Sequence, residues 1–280
     1  MKHGNEYARR VKRLFHQLIR KFGKPAAFEL TNPIEQLVVG ILASCTSLNK
    51  AQTVFRKLRH QMVDLNELRV TPPTELAEII GDGLPLAREK ARRIVDALND
   101  IRRRQDTMDL MFLRERGRRE AREYLESLEG VDRSAAASVV LYSLGGHAIP
   151  VDDLMLYVLR SEEMVDPAAE LAEVQGFLER HISAADTQAF AELLGRYAVS
   201  RGSRLPLEKL GELLRPPPPP APVTASPQPA APGPGKKASP SVSETKPARP
   251  GPKQAPPKRS TTTKPKRTGP GRSPKVRRKK

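Results

Sequence analysis

The sequence of 280 residues contains one cysteine, no tryptophan and no long apolar run. The single thiol, Cys45, excludes an intrachain disulfide and a structural metal site built from several thiolates. No stretch of about 18 consecutive apolar residues occurs, so no membrane-spanning helix is predicted. The charged first turns are not followed by an apolar signal core, and we therefore expect an intracellular protein. Strand-like alternation of period two is also missing, which leaves helices as the regular structure that the pattern predicts.

Positive charge is in excess at a formal +17, but it is distributed unevenly along the chain. Residues 216–280 contain 16 Lys and Arg residues and one acid, Glu244. Because this segment is rich in proline and poor in large apolar side chains, we predict a disordered basic tail that begins with the proline run 216–220. In composition it resembles the tails of linker histones, which implies salt-sensitive, nonspecific attraction to DNA. Residues 1–215 are nearly neutral and long enough to form a core in two lobes.

Apolar residues recur at helical spacing throughout the first 215 residues, which predicts an all-helical body. The strongest start signal is Asn32 followed by Pro33, a helix cap and a first-turn proline. The apolar stripe of that helix runs on to Cys45, which we interpret as a small core residue. The run Arg102-Arg103-Arg104 is interpreted as a solvated helix face. Further helices are predicted at residues 5–22, 49–60, 74–80 with Thr74 as cap, from Pro85 to Ile101, 120–128, 133–143, 152–159, from Asp166-Pro167 as cap to His181, and 184–199.

Residues 128–136 combine the end of one helix, a tight glycine turn and the immediate start of a second helix. The segment comprises Leu128, Glu129, Gly130, Val131, Asp132, Arg133, Ser134, Ala135 and Ala136. A helix-hairpin-helix of this kind points backbone N–H groups outward at a helix N-terminus, where the helix dipole favours a phosphate. Phosphate contacts do not read base sequence, so the element predicts nonspecific binding to double-stranded DNA. A plain αα-hairpin without a ligand is the alternative.

Asp152 lies 18 residues after Ser134 and precedes another predicted helix. With this spacing, residues 125–160 resemble the endonuclease III and MutY family of DNA glycosylases. In that family a Leu-Pro-Gly-Val-Gly-Arg-(Lys or Ser)-Thr-Ala hairpin is followed at this distance by the catalytic aspartate. Three weaker similarities extend the resemblance over roughly residues 5–200. They are residues 32–51, residues 80–91 and the triplet Gly195-Arg196-Tyr197.

The resemblance implies an all-α, two-lobed helix-hairpin-helix glycosylase fold, with one lobe of about residues 30–135 and the other built from residues 1–29 and 136–215. It also implies a hydrolase of base excision repair that extrudes a damaged or mispaired base and breaks its N-glycosidic bond. Asp152 would be the catalytic carboxylate beside the cationic sugar, and its alternative role is that of a helix cap alone. Ser134 stands where bifunctional members carry a nucleophilic lysine, so AP-lyase activity, the cleavage of the strand by β-elimination, is not expected.

The sequence departs from the family pattern at three places. Asp132 replaces the second hairpin glycine, and its carboxylate would repel a phosphate unless it caps the second helix and points away. Residues 198–206 contain no cysteine, so we expect no iron–sulfur cluster. We also expect no other cofactor and no metal. Arg201 and Arg204 in the same segment remain able to contact phosphate. Cys45 falls where the family often has a glutamine that fills the gap left by the flipped base.

Two functions fit these residues. The first is a monofunctional DNA N-glycosylase, in which Asp152 is the catalytic carboxylate and residues 128–136 bind phosphate. In this case the basic tail keeps the enzyme close to DNA. The second is a non-catalytic DNA-binding relative of endonuclease III, in which the histone-like tail supplies most of the affinity. In both cases we expect a DNA-associated monomer whose partner is double-stranded DNA, in the cytoplasm and nucleoid or in a nucleus.

Overall fold

The computed structural model describes residues 4–26 and 30–203. Within these ranges the chain forms α-helices and one short 3-10 helix, without a strand, so the predicted all-helical fold class is confirmed. No helix in these ranges is long and apolar enough to cross a membrane. The predicted tail at residues 216–280 lies outside the described residues.

In chain order the helices are α1 (Gly4–Phe22), α2 (Pro33–Ala43), α3 (Leu48–Gln61), α4 (Leu65–Val70), α5 (Pro73–Ile80), α6 (Ala87–Gln105), the 3-10 helix (Met111–Arg114), α7 (Arg118–Glu126), α8 (Arg133–Tyr142), α9 (Asp153–Ser161), α10 (Leu171–His181) and α11 (Thr187–Gly202).

Three helices begin where the sequence predicts because a side chain caps them. Asn32 caps α2 by accepting hydrogen bonds from the N–H groups of Ile34 and Glu35, at 3.0 and 3.4 Å. Asp132 caps α8 and Asp152 caps α9 in the same way. A carboxylate at this position satisfies an amide that has no partner inside the helix and also favours the positive end of the helix dipole. These two caps are also the residues around which the predicted site is built.

Other predicted helix starts are wrong, among them those at residues 120 and 184, since α7 begins at Arg118 and α11 at Thr187. For three more the local structure gives the reason. Helix α5 begins at Pro73, one residue before Thr74, and it has no side-chain cap. Helix α6 begins two residues after Pro85, because the backbone of Leu86 is left-handed, with φ at 58°. Helix α10 begins only after Glu170, whose N–H is held by a carboxylate three residues further on, while Asp166 closes a separate turn by accepting the N–H of residue 168. The three starts have different causes, which are a proline at the first position of α5, the left-handed backbone of Leu86 before α6, and a capping box of Glu170 with Glu173 at α10.

The apolar side chains form two cores. The first is built from helices α2 to α8, and the second from α1, the end of α8, α9, α10 and α11. The segment between α8 and α9 passes from one core to the other, because Ala148 packs in the first core while Ile149 and Val151 pack in the second. Asp152 follows directly, so it stands where the chain has just crossed between the two cores.

Small residues let helices α2 and α8 approach closely. A Cβ on Gly40 would lie 3.2 Å from Ala135 Cα and 3.2 Å from Ser138 Cβ, so the two backbones are nearly in contact. The Gln36 amide donates a buried hydrogen bond of 2.9 Å to Ser138 Oγ across the same interface. This packing holds the first turns of α8 in place, and Ser134 lies in that part of the helix.

The segment before Asp152 is fixed by polar contacts from two helices. Gln175 on α10 donates to the Ile149 carbonyl at 2.9 Å, and Glu179 accepts the Ile149 N–H at 3.1 Å. The same Glu179 carboxylate pairs with Arg122 on α7 at 2.7 Å. Because this pair lies between helices of the two cores, it links them at the point where the segment leads into α9.

Candidate active site

The Asp152 carboxylate is held by one backbone amide on each oxygen. Its Oδ1 accepts the N–H of Met155 at 2.8 Å, which is the α9 cap, and its Oδ2 accepts the N–H of Cys45 at 2.7 Å. The residue is 5% exposed. Since both oxygens are bound, the orientation of the carboxylate is fixed. A fixed orientation suits a group that stabilises charge at one defined point.

Cys45 supplies one of these amides from a turn and not from a helix. Helix α2 ends at Ala43, so the prediction that Cys45 continues its apolar stripe is wrong. The backbone of Cys45 is left-handed, with φ at 54°, and this turn directs its N–H to Asp152. The side chain is buried, and burial together with Asp152 raises the pKa of the thiol to about 12. The thiol therefore stays protonated at neutral pH and is not a nucleophile.

Burial dominates the protonation of Asp152. Removal from water raises the pKa of the carboxyl to about 6, although the amide hydrogen bonds from Met155 and Cys45 act in the opposite direction. The negative charges of Asp153 and Asp132 raise it further. At pH 7 to 8 the carboxylate form still predominates, so Asp152 can stabilise a positive charge there and loses this ability as the pH falls through about 6.

Asp152 and Ser134 line the same cavity of about 40 Å³. The two residues, whose positions the family resemblance marked as part of the site, are thus brought to one place by the α2–α8 packing and the crossing segment. A second acid, Glu192 on α11, also lines the cavity, but it forms an ion pair of 2.5 Å with Arg196. Among the described residues Asp152 has no ion pair, which leaves its charge available to a ligand. The remaining wall residues include Gly40, Thr46, Tyr142, Pro150, Met155 and Ala191.

The hairpin turn is anchored to α6 through Arg93. The Arg93 guanidinium donates to the Gly130 carbonyl at 2.8 Å and pairs with Asp132 Oδ2 at 2.6 Å. The other Asp132 oxygen accepts the N–H of Ala135 at 2.7 Å. The aspartate in place of the family's glycine therefore caps α8 and is neutralised by an arginine. Because its carboxylate is bound within the protein, Asp132 takes the capping role that the sequence offered as the alternative to repulsion of a phosphate.

The remaining hairpin residues have distinct surroundings. The Glu129 N–H donates to the buried carboxylate of Asp100 at 3.0 Å, and its side chain pairs with Arg103 at 2.9 Å. Val131 is half-buried against the first core, and Arg133 is exposed and lies 3.5 Å from Glu126. Residues 102–104 are all exposed, as their interpretation as a solvated helix face predicts, and Arg103 and Arg104 in addition pair with the buried carboxylate of Asp100.

Solved structures that share this arrangement of helices include complexes of DNA glycosylases and related proteins with DNA. A trapped covalent intermediate of endonuclease III with DNA, described as an estranged-adenine complex, matches with a TM-score of 0.53 and 21% identity over 72% of this chain and 94% of that chain. A non-covalent endonuclease III–DNA complex matches with a TM-score of 0.54 and 20% identity over the same shares. An 8-oxoguanine glycosylase/lyase of Clostridium acetobutylicum, bound to double-stranded DNA with cytosine opposite 8-oxoguanine, matches with a TM-score of 0.53 and 16% identity over 70% of each chain. No family model and no curated protein sequence matches the chain.

The chain has the helix-hairpin-helix DNA glycosylase fold. The fold that the sequence resemblance implied is therefore confirmed. In this glycosylase fold the hairpin of residues 128–136 leads into α8, α8 carries Ser134, and α9 carries Asp152 as its cap.

The end of α11 is held by an ion-pair cluster in this example of the glycosylase fold. The Tyr197 hydroxyl donates to the Glu162 carboxylate at 2.6 Å, and Arg201 pairs with the same carboxylate at 2.6 Å. Arg201 is thus already paired within the protein although it is exposed, and Arg204 lies outside the described residues, so a phosphate contact of either arginine stays a prediction. A cluster held by four thiolates does not fit this chain, which has one cysteine. Residues 4–26 and 30–203 also contain no group of three His, Cys, Asp or Glu side chains suited to a metal.

Sequence reasoning missed three charged residues of α6. Arg93 and Asp100 contact the hairpin, and Lys90 is buried with no hydrogen-bond partner for its Nζ among the described residues. A signal for one of them was present, because Lys90 falls on the helical face that also carries Ala91, Ile94 and Leu98. A charged residue on an apolar helix face is almost never buried without a partner. Its presence there predicts a polar partner from another part of the chain.

Proposed function

We propose that this protein is a monofunctional DNA N-glycosylase that removes a damaged or mispaired base from double-stranded DNA. The observation that carries the proposal is the shared cavity of Asp152 and Ser134, in which a fixed carboxylate that forms no ion pair with any described residue stands beside a serine. The DNA complexes found among structures of the same fold support DNA as the substrate. No cofactor is part of the proposal.

In the proposed reaction the bond between the sugar C1′ and the base nitrogen breaks, and the electron pair leaves with the base. Positive charge develops on the sugar, and the Asp152 carboxylate stabilises it from a buried position where electrostatic interactions are strong. The carboxylate also orients the water that adds to C1′, which completes a hydrolysis. Ser134 cannot form a Schiff base with the sugar, so the strand remains intact at the abasic site.

The cavity must enlarge before a base enters. Its volume of about 40 Å³ gives room for about three water molecules. An extruded base is much larger, so we infer that binding of DNA separates the walls contributed by α8, α9 and α11. Tyr142 and Met155 on these walls offer aromatic and apolar surface against which a flipped base packs.

DNA binding is proposed to depend on two parts of the chain. The first amides of α8 have no carbonyl partner within the helix, and Asp132 satisfies that of Ala135, so the amides before it are available for a phosphate. The basic segment 216–280 would add salt-dependent attraction and keep the catalytic residues close to DNA.

A lysine at position 134 is expected to convert the enzyme to a bifunctional one. Ser134 lines the cavity with Asp152, so an amine there would reach the sugar that Asp152 serves. We expect Ser134→Lys to cut the strand without alkali and to be trapped on substrate DNA by borohydride. Ser134→Ala is the matched control and is expected to release the base with no strand cut. Absence of trapping with a correctly folded Ser134→Lys would show that residue 134 does not face the sugar.

The proposed function is tested by a base-release assay on duplexes that each carry one lesion or mismatch, with and without alkali. Strand breaks that appear only after alkali are expected for at least one substrate. If no duplex loses a base, while salt-sensitive binding is retained and disappears on removal of residues 216–280, the protein is the non-catalytic DNA binder instead. Breaks without alkali would contradict the monofunctional mechanism.

A further inference from the structure

Helix α1 concentrates the positive charge of the body. Residues 4–26 carry seven Lys and Arg residues against one acid, Glu6, whereas residues 27–215 carry 25 basic and 30 acidic residues. The near-neutral balance of residues 1–215 therefore conceals a separation of charge, in which a positive first helix is followed by a negative remainder. A local excess of one sign raises the concentration of an oppositely charged ligand at that part of the surface.

Four exposed side chains of α1 form a stripe along one face of the helix, which we name the α1 stripe. They are Arg9, Arg13, His16 and Arg20. Their spacing of four, three and four residues aligns them on one side of a helix, and Val11 and Leu18, which α1 buries, lie on the opposite side. The stripe therefore points to solvent and spans about 16 Å, at a rise of about 1.5 Å per residue.

The arginines of the stripe have no carboxylate partner among the described residues. Glu6, the acid of α1, pairs with Arg10 at 2.7 Å, and Arg10 is not part of the stripe. On α7, by contrast, the positive charges lie beside acids of the same helix, as Arg119 does with Glu123 at 2.7 Å. An anion can thus bind to the α1 stripe without the loss of an ion pair within the protein.

The α1 stripe is directed away from the active-site cavity. Helix α11 packs on α1 through Phe190, whose ring meets that of Phe15 edge to face with centroids 5.5 Å apart. Other residues of α11, namely Ala191, Glu192 and Gly195, line the cavity. Helix α11 therefore stands between α1 and the cavity, and the stripe lies on the side of α1 that faces away from the core. A duplex that places a base in the cavity does not face it.

The chemistry of the stripe favours a phosphodiester backbone over a membrane surface. A guanidinium binds phosphate through two parallel N–H donors, and three of the four stripe residues are arginines. A helix that lies on a membrane needs an exposed apolar face beside its basic one. The apolar face of α1 is buried in the second core, so it is not available to lipid.

We propose that the α1 stripe is a further DNA-binding surface, which holds the phosphate backbone of a duplex segment other than the one at the active-site cavity. The choice of DNA as the polyanion rests on the proposed function of the protein. Since phosphate contacts do not read bases, the surface binds duplexes of any sequence. One protein molecule can then join two segments of duplex.

The contact itself is tested by photo-crosslinking of the full-length protein to an undamaged duplex. Gln17 is exposed beside the stripe, and Cys45, the one cysteine of the chain, is buried, so a benzophenone label can be attached selectively to Gln17→Cys. We expect this position to crosslink to the duplex, in a yield that falls as the salt concentration rises. Arg118→Cys on α7, labelled in the same way, is the control and is expected to crosslink about fivefold less or weaker still, because exposed charges act only over about 8 Å at physiological salt. Equal yields at the two positions, or no crosslink from Gln17→Cys while the duplex is bound, overturn the proposal.

The second duplex segment is tested by the joining of two separate duplexes. The full-length protein is mixed with a biotinylated duplex and a fluorescent duplex, both undamaged, and the fluorescence captured with the biotin is measured. We expect the wild type to join them, and the variant Arg9→Gln/Arg13→Gln/Arg20→Gln to capture about fivefold less fluorescence, because each lost phosphate contact weakens binding. Unchanged joining by this variant overturns the proposal.

The control for net charge is the variant Arg116→Gln/Arg118→Gln/Arg119→Gln, which removes three positive charges from α7 or the turn before it. It is expected to join duplexes nearly as the wild type does. An equal loss in this variant would make the effect one of net charge and overturn the proposal.

The outcomes separate this inference from the proposed function. All the DNA is undamaged, so the measurements remain decisive for a protein that releases no base. A wild type that binds no duplex would contradict the proposed function and this inference together, whereas loss of the α1 contact alone contradicts only the inference. If the stripe variant loses binding to phosphatidylglycerol vesicles but joins duplexes as the wild type does, a membrane is the partner and the proposal is overturned.

Discussion

Replacement of Asp152 by asparagine is expected to slow base release by about 10² to 10⁴-fold. The neutral amide cannot stabilise a cationic sugar, whereas its size and its oxygen acceptor still allow the α9 cap. Affinity for an undamaged duplex should change little, since the hairpin and the tail are untouched. Single-turnover base release on the best lesion substrate, together with duplex binding, measures both effects.

Asp153→Asn is the matched control for Asp152→Asn. Asp153 is the next residue on the same helix and does not line the cavity, so its loss is expected to leave base release within a few-fold of the wild type. Equal losses in the two variants would indicate a general effect of negative charge at the start of α9. Retained activity in Asp152→Asn would contradict a catalytic role for this carboxylate.

Base release should also decline in acid. Burial raises the pKa of Asp152 to about 6, so the active carboxylate form predominates above this pH and is lost below it. The expected rate is nearly constant above pH 7 and falls by about tenfold for each pH unit well below 6. A profile of single-turnover rates from pH 4.5 to 8.5, with circular dichroism to verify folding at each pH, tests this.

Gly130→Ala is expected to destabilise the protein by about 2–4 kcal/mol and to weaken duplex binding. Gly130 has a φ of 72°, and a Cβ there would lie 2.6 Å from the Arg93 carbonyl oxygen and 2.9 Å from its Cα. The hairpin would have to leave α6, and the contacts of Arg93 with Gly130 and Asp132 would be lost. Denaturant unfolding and binding to an undamaged duplex report the two losses.

Gly176→Ala provides the control for this substitution. Gly176 lies within α10, and a Cβ there would contact nothing within 4 Å. Alanine should therefore stabilise α10 by about 0.5–1 kcal/mol and leave DNA binding unchanged. Wild-type stability and affinity in Gly130→Ala would mean that the hairpin does not require the close packing on α6.

The parts of the site that the sequence predicted are those fixed by local chemistry. Asp152 and Asp132 each cap the helix that follows them, and the capping of α8 by Asp132 was one of the two alternatives that the sequence left open. The meeting of Asp152 with Ser134 came from the spacing of the family pattern, and the α2–α8 packing explains it through small residues such as Gly40.

The parts that the sequence did not predict depend on contacts between distant segments. The left-handed turn at Cys45 is stabilised by a carboxylate 107 residues away, and no local signal reveals it. Asp100 lies in a polar stretch that is typical of a solvated helix, yet it binds the hairpin amide of Glu129. Helix α4, with Asp64 as its cap, is too short for a periodic pattern to indicate.

The central claim, that Asp152 faces developing positive charge on a sugar, is tested most directly without knowledge of the lesion. The measurement is the affinity for two duplexes that differ at one abasic position, where one carries a cationic pyrrolidine and the other a neutral tetrahydrofuran. A transition-state mimic binds more tightly to the enzyme that stabilises the charge. We expect the wild type to prefer the pyrrolidine duplex by at least about tenfold at pH 7.5, and Asp152→Asn to bind both equally. Equal binding of the two duplexes by the wild type would contradict the proposed active site.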